Sequence, residues 1–173
     1  MANESVNLFL RRDLRFTVDE SARAATMTAM TLRNWLKRGV AAVSQKDIRL
    51  GRWLLDANDV LAIRIMAELQ QQCGTDPMQS SGIGKRCAQE WYQHHVMLGD
   101  DRLVCLIALN DGSPIFWFGP LPRQIPAAVA ERMGDREHAK KEILSGAHLR
   151  IPVHTLAVDV QERLSNVLAE QGE

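Results

Sequence analysis

Cysteine is scarce in this chain, and its spacing narrows the possible structures. Three cysteines occur among the 173 residues, at Cys73, Cys87 and Cys105, and no two of them form a CxxC pair. An odd and widely spaced set argues against both a disulfide framework and a structural zinc site. We therefore expect reduced thiols in a cytoplasmic protein.

Long apolar runs are also missing from the sequence. The N-terminus has no run of seven or more apolar residues after a basic start, so no secretory signal is visible. No stretch approaches the roughly 20 apolar residues that a membrane-spanning helix needs. With 46% hydrophobic and 24% charged residues, the composition is that of an ordinary globular protein. We expect no membrane partner.

A net charge is missing too, because 21 basic and 21 acidic residues cancel. Taken alone, this balance argues against a nucleic-acid partner. However, residues 1–73 carry 11 Lys/Arg and 8 Asp/Glu, whereas residues 74–173 carry 10 and 13. Residues 33–52 contain six basic side chains and one acidic side chain. Because charges act over a Debye length of about 10 Å, the local basic surplus decides which partners are attracted.

Two short helices are predicted near the N-terminus. Thr17 and Glu20 have the spacing of a capping box, so a helix is expected to begin at Thr17. A second helix is expected to open at Met30 and Thr31 and to end at Gly39. Two such helices joined by a short turn are the outline of a helix-turn-helix. Residues 7–15, which precede them, are compatible with either a strand or an arm.

A hairpin and a longer helix complete the predicted first domain. Residues 40–55 alternate apolar segments with a polar tip at residues 44–47, which indicates a hairpin. Either Asp56 or Asn58 then caps a helix that continues to about residue 72. Gly, Pro and Ser cluster in residues 74–81, so we predict a linker there, between a domain at 1–73 and a domain at 82–173.

The second half of the chain is expected to be a small α+β domain. A helix is predicted over residues 84–95, and apolar strands over 102–110 and 114–119 form a β-hairpin through Asp111 and Gly112. Further helical segments are expected at 127–133 and 137–144. Residues 155–170 form an amphipathic helix. The apolar stripe of this helix and the apolar strand at 115–118 serve either the core of the chain or a homodimer interface.

The order of motifs over residues 16–69 resembles the MerR-type winged helix-turn-helix. In that family, a second helix reading TLRYYE-x-x-G precedes a wing reading GYRxY and a helix reading DV…I…L. Here the matching segments are Thr31-Leu-Arg-Asn-Trp-Leu-Lys-Arg-Gly39, Gly51-Arg52-Trp53 and Asp59-Val60 with Ile65 and Leu69. The chain departs from the family in its turn, which reads Ala25-Thr-Met-Thr28 without the usual glycine.

The resemblance implies how DNA would be contacted. A helix fits the major groove of B-DNA, so residues 30–38 would form the recognition helix. Arg33 would pair with guanine or a phosphate, and Asn34 would read adenine. The wing would approach the phosphate backbone. The DNA-binding residues implied in this way are Thr31, Arg33, Asn34, Lys37, Arg38, Lys46, Arg49 and Arg52.

Other noticeable residues are interpreted more simply. Trp35 and Trp53 are expected in the core rather than stacked on bases, and Cys105 is expected to act as a small apolar residue within its strand. The pair His94 and His95 is not expected to bind a metal, because adjacent residues of a helix point in different directions. We expect no catalytic residue, no metal and no cofactor, and the chain is not expected to be an enzyme.

The sequence therefore predicts an α+β protein with a winged helix-turn-helix and a function in transcription. We expect a sequence-specific DNA-binding regulator of bacterial or phage type that represses as a homodimer on double-stranded DNA. The C-terminal domain would serve dimerisation or bind a small-molecule or protein effector. The alternative is a protein-interaction module that uses the winged fold, such as an anti-repressor or a phage packaging or excision accessory protein.

Overall fold

The computed structural model describes residues 7–11, 13–41, 43, 47–49, 52–96, 104–110, 113–119 and 148–172. Two three-stranded antiparallel sheets and five α-helices lie within these residues. The elements are, in chain order, β1 (Phe16–Thr17), α1 (Val18–Ala24), α2 (Ala29–Lys37), β2 (Asp47–Arg49), β3 (Arg52–Leu55), α3 (Ala57–Cys73), α4 (Pro77–Trp91), a π-helical turn (Tyr92–Val96), β4 (Val104–Asn110), β5 (Ser113–Gly119), β6 (His148–Ile151) and α5 (Val153–Gln171).

Helix α1 begins with the predicted capping box. The backbone N–H of Thr17 donates to Glu20 Oε2 at 2.7 Å, and the backbone N–H of Glu20 donates to Thr17 Oγ1 at 3.4 Å. This reciprocal pair satisfies donors that a helix N-terminus otherwise leaves without partners. The expected start of the helix is confirmed.

The turn between α1 and α2 contains a left-handed residue that is not glycine. Thr26 has a φ of 55°, in the region that β-branched residues rarely occupy. Its backbone N–H still donates to the carbonyl of Arg23 at 3.2 Å. The chain thus forms this turn without the glycine that is usual in the MerR-type family, and the backbone of Thr26 is strained as a result.

Helix α2 begins slightly earlier than predicted. Thr28 is the N-cap, and its hydroxyl accepts a hydrogen bond from the backbone N–H of Thr31 at 3.2 Å, so that Ala29 is already helical. At the other end, Gly39 adopts a φ of 68° just after the helix, as expected of a C-terminal glycine.

The wing is a three-stranded sheet in the order β1-β3-β2. Strands β2 and β3 pair antiparallel, with Ile48 opposite Trp53, and β1 adds to the other side of β3 through Phe16 opposite Leu55. A hairpin within residues 40–55 is therefore confirmed, but the predicted position of its tip is wrong: Asp47 lies in β2 opposite Leu54, because the strands pair from Asp47 to Arg49.

Helices α3 and α4 form the densest helix pair among the described residues. Asp56 is the N-cap of α3, since its Oδ1 accepts the backbone N–H of Asp59 at 2.9 Å, and Gly74 ends the helix with a φ of 60°. Gly84 of α4 lies directly against the backbone of Ala62 in α3. Without a side chain at Gly84 the two helix backbones can approach closely.

Helix α4 begins seven residues before the start predicted at residue 84. Asp76 caps it, with Oδ1 accepting the backbone N–H of Met78 at 2.8 Å, and Pro77 stands in the first turn where a missing N–H costs nothing. Only residues 74–76 therefore separate α3 from α4, and most of the predicted linker segment is helical. The division of the chain into domains stays a prediction.

The second sheet has the order β5-β4-β6. Strand β4 pairs antiparallel with β5, from Val104 opposite Gly119 to Asn110 opposite Ser113, and also with β6. The turn at Asp111 and Gly112 and the helical segments predicted at residues 127–133 and 137–144 lie outside the described residues.

Helix α5 packs back onto the N-terminal half of the chain. Its apolar stripe, which includes Leu156, Val160, Leu164 and Val167, is buried in the same hydrophobic cluster as residues of α1, α3 and α4. At the end of the helix, Glu170 forms an ion pair of 2.8 Å with Arg23 of α1. Of the two uses weighed for this stripe, the core of the chain is the one observed.

None of the helices within the described residues is both long and apolar enough to pass through a membrane. In the same part of the chain, no cluster of three or more His, Cys, Asp or Glu side chains is arranged to hold a metal ion.

Candidate nucleic-acid interface

Helix α2 divides its side chains sharply between the core and solvent. Leu32, Trp35 and Leu36 are buried, and they hold the helix in the hydrophobic cluster. Arg33 and Lys37 are exposed, one turn apart along the helix. The buried position of Trp35 confirms that it belongs to the core.

A cleft of about 450 Å³ lies beside α2 and gathers basic side chains from two elements. We call it the basic cleft, and its lining residues are Thr17, Val18, Asp19, Arg33, Lys37, Arg52 and Trp53. Arg33 and Lys37 come from α2, whereas Arg52 comes from the wing strand β3. Arg52 is at least 15 positions from Arg33 and Lys37 in the sequence, yet all three line one concave surface. Such a grouping of positive charges attracts a polyanion.

Arg33 does not extend freely into this cleft, because it is paired with an acidic residue. Its Nη2 lies 2.6 Å from Oδ2 of Asp19, which stands in the first turn of α1. The side chains of Arg33 and Asp19 are 49% and 66% exposed, respectively. An ion pair this open to water is weak and exchangeable, so a phosphate or a base could replace the carboxylate.

The charge of the basic cleft still favours an anion. Three cations, Arg33, Lys37 and Arg52, face one carboxylate, that of Asp19. Trp53 is half-buried: it packs against the hydrophobic cluster and also lines the basic cleft, so the expectation that it lies in the core is met in part.

The remaining residues of the implied DNA-binding set lie in different situations. Thr31 is half-buried and its hydroxyl lies 2.8 Å from that of Thr28, so it completes the cap of α2. Asn34 on α2 and Arg38, the C-cap residue that follows it, are exposed but do not line the basic cleft. Arg49 stands opposite Arg52 in the β2–β3 pair, although its side chain lies outside the described part of the chain.

Lys46 lies outside the described residues altogether. Conversely, Asp19 is a member of the site that sequence reasoning missed. Its only sequence signal is an acidic residue in the first turn of a helix, which ordinarily indicates a favourable interaction with the helix dipole.

The sequence of residues 16–75 matches the model of the MerR HTH family regulatory proteins. The N-terminal region of this chain is a MerR-like helix-turn-helix. The match begins at β1 and ends just after α3, so it includes α1, α2 and the wing. No curated protein matches the chain in a sequence comparison.

This match confirms, for the N-terminal region, the resemblance seen in the sequence. A MerR-like helix-turn-helix indicates a DNA-binding regulator of transcription, and the α+β fold expected for such a unit is observed. The basic cleft belongs entirely to the MerR-like region, since every residue that lines it falls between positions 17 and 53.

Proposed function

We propose that the chain is a sequence-specific DNA-binding repressor that acts as a homodimer in the cytoplasm. One observation carries the proposal: Arg33 and Lys37 of α2 and Arg52 of the wing converge on a single cleft within a MerR-like region. In such an arrangement α2 enters the major groove while the wing follows the adjacent phosphates.

The roles proposed for the individual side chains are those that the resemblance to the MerR-type helix-turn-helix implies. Arg33 and Asn34 would contact base edges, and Lys37, Arg38 and Arg52 would contact phosphates, with Lys46 and Arg49 adding sequence-independent attraction along the wing. Replacement of Arg33 by alanine should cost about 1–3 kcal/mol of binding if it reads a base, and it should relax specificity at that base.

Support for a homodimer comes from the second sheet. Among the described strands, β5 lies at one end of the order β5-β4-β6, and its sequence from Ile115 to Phe118 consists of apolar residues only. An apolar edge strand is a natural place for a second copy to pair. Because the apolar stripe of α5 is buried in the core, the dimer interface is proposed at this sheet. A monomeric mass in light scattering at micromolar concentration would contradict it.

Selection from a random DNA library, followed by footprinting, tests the function. The proposal expects a recovered palindrome whose half-sites are about 34 Å apart, one helical turn, matching two α2 helices related by a two-fold axis. A reporter placed behind the recovered site should be silenced by the protein. Enrichment of no sequence would contradict specific binding.

The protein-interaction module is the other candidate, and the same cleft distinguishes the two. If the fold binds a protein through other surfaces, partner binding should survive removal of Arg33 and Arg52. A DNA-binding repressor should lose its operator with the same changes.

A further inference from the structure

Met30 is the most exposed of the large apolar side chains in the described part of the chain, at 72%. It is the second residue of α2, and it takes no part in the hydrophobic cluster. Single apolar side chains are common on protein surfaces, so exposure alone does not mark a site. What distinguishes Met30 is its place on the helix that is proposed to enter the major groove.

Met30 shares one face of α2 with the polar side chains of Arg33, Asn34 and Lys37. These positions have the spacing i, i+3, i+4 and i+7, which brings side chains together on one side of a helix, and all of them are exposed. At about 100° per residue, Met30 lies between Arg33 and Asn34 around the helix axis, opposite the buried residues of α2. A surface that Arg33 and Asn34 both contact is therefore also within reach of Met30.

Met30 also lies at the end of α2 that is expected to meet the bases. Recognition helices contact base edges through their N-terminal residues. The rise of an α-helix places Met30 about 4.5 Å from Arg33 along the axis, on the N-terminal side. Successive bases of B-DNA are about 3.4 Å apart along each strand. The base beside Met30 would therefore be one or two base pairs from the base that Arg33 contacts.

The chemistry of the methionine side chain restricts what it can recognise in the groove. The thioether has no hydrogen-bond donor and is only a weak acceptor, so it pairs poorly with the polar groups on the base edges. The side chain also carries no charge with which to attract a phosphate. Thymine is the base that presents an apolar group in the major groove, its C5-methyl. Contact between this methyl group and Met30 removes apolar surface from water on both molecules.

We propose that Met30 selects a thymine in each half-site by contact with the C5-methyl group. The inference rests on the proposed function, because it requires α2 to lie in the major groove. Arginine and asparagine side chains favour guanine and adenine, respectively, so Met30 adds to the half-site a base that Arg33 and Asn34 do not select.

Deoxyuridine in place of thymidine tests the contact, because this change removes the C5-methyl group and leaves base pairing and the O4 acceptor intact. The probes are duplexes of the site recovered from the random library, with each thymine of the half-site replaced in turn, and fluorescence anisotropy gives the affinities. At one thymine, loss of the methyl group should weaken binding about fourfold, as expected for one buried methyl group. This ratio should be the same at low and high salt, because the contact involves no phosphate.

Substitutions of methionine assign the preference to one side chain. Met30→Gln keeps the length and the helix propensity of the residue, and no core packing is lost at a side chain that is 72% exposed. The preference for thymidine over deoxyuridine should disappear in Met30→Gln and remain in Met30→Leu, which keeps an apolar contact. Met78 of α4 is 63% exposed, and Met78→Gln is the matched control that should keep the full preference.

The outcomes separate this inference from the proposed function. A preference for thymidine that survives in Met30→Gln would overturn the proposal, as would equal binding of the duplexes with and without the methyl groups or a recovered half-site that lacks thymine. Each of these results would leave specific DNA binding in place. Enrichment of no sequence would instead contradict the proposed function, and this inference with it.

Discussion

The ion pair between Asp19 and Arg33 gives the sharpest prediction about the basic cleft. To contact DNA, Arg33 must first release the carboxylate that lies 2.6 Å away. Exposed pairs of this kind are worth about 0.2–1 kcal/mol. Replacement of Asp19 by asparagine keeps the shape of the side chain, removes this competition and also removes one negative charge from the surface that is proposed to meet phosphates.

The expected gain in DNA affinity follows from the energy of the pair. If the release of Arg33 costs about 0.2–1 kcal/mol, Asp19→Asn should tighten binding by about 1.4- to 5-fold at low salt. The free energy of unfolding should fall by a similar or smaller amount, because the same pair joins α1 to α2. Fluorescence anisotropy on the selected operator and chemical denaturation measure the two effects.

Glu170→Gln is the matched control for Asp19→Asn. Glu170 forms an equally exposed pair with Arg23, at 2.8 Å, but neither residue lines the basic cleft. This control should leave DNA affinity nearly unchanged. The gain in DNA affinity from Asp19→Asn should also shrink in an Arg33→Ala background, because the Asp19 carboxylate then has no arginine for which to compete with DNA. An unchanged or weaker affinity in Asp19→Asn, or a gain that persists in full without Arg33, would refute the reasoning.

Three further predictions concern stability and are measured by chemical or thermal denaturation. Gly84→Ala should destabilise the protein by about 1–3 kcal/mol, because the added Cβ would collide with the backbone carbonyl of Ala62. Gly82 lies on the same helix with open space around it, so Gly82→Ala should stabilise the protein by about 0.5–1 kcal/mol. Equal effects of the two substitutions would contradict the close approach of α4 to α3. Thr26→Gly should be neutral or stabilising by up to about 2 kcal/mol, since glycine accepts a positive φ; a loss would show that the turn is unstrained. Asp56→Ala should cost about 1 kcal/mol through loss of the α3 cap, whereas Asp56→Asn should be nearly neutral, and a harmless alanine would contradict the role of the cap.

Local signals in the sequence were sufficient for the helix-turn-helix. The capping box at Thr17 and the glycine after α2 act within a few residues, so the sequence alone indicates them. For α3 the sequence left two candidate caps, Asp56 and Asn58, and the structure shows that Asp56 is the cap. The start of α4 shows how such a signal can be overlooked. Asp76 and Pro77 mark a helix start, but the glycines and serines that follow resemble a linker.

Contacts between distant residues could not be predicted in the same way. The pairing of Asp19 with Arg33 depends on how α1 and α2 cross, and the approach of Gly84 to Ala62 depends on how α4 lies on α3. The burial of the α5 stripe in the core was likewise one of two possibilities, the other being a homodimer interface. An apolar stripe shows that one face of a helix is covered, but it does not show which part of the protein or which partner covers it.

The salt dependence of DNA binding tests the central claim most directly. The double variant Lys37→Ala/Arg52→Ala removes two cations of the basic cleft, and Lys85→Ala removes an exposed cation of α4 far along the chain. Each lost phosphate contact lowers the slope of log affinity against log salt by about 0.9, so the double variant should lower it by about 1.8 while Lys85→Ala leaves it unchanged. Equal slopes in all three proteins, or DNA binding by the wild type that does not respond to salt, would contradict the assignment of the basic cleft to DNA.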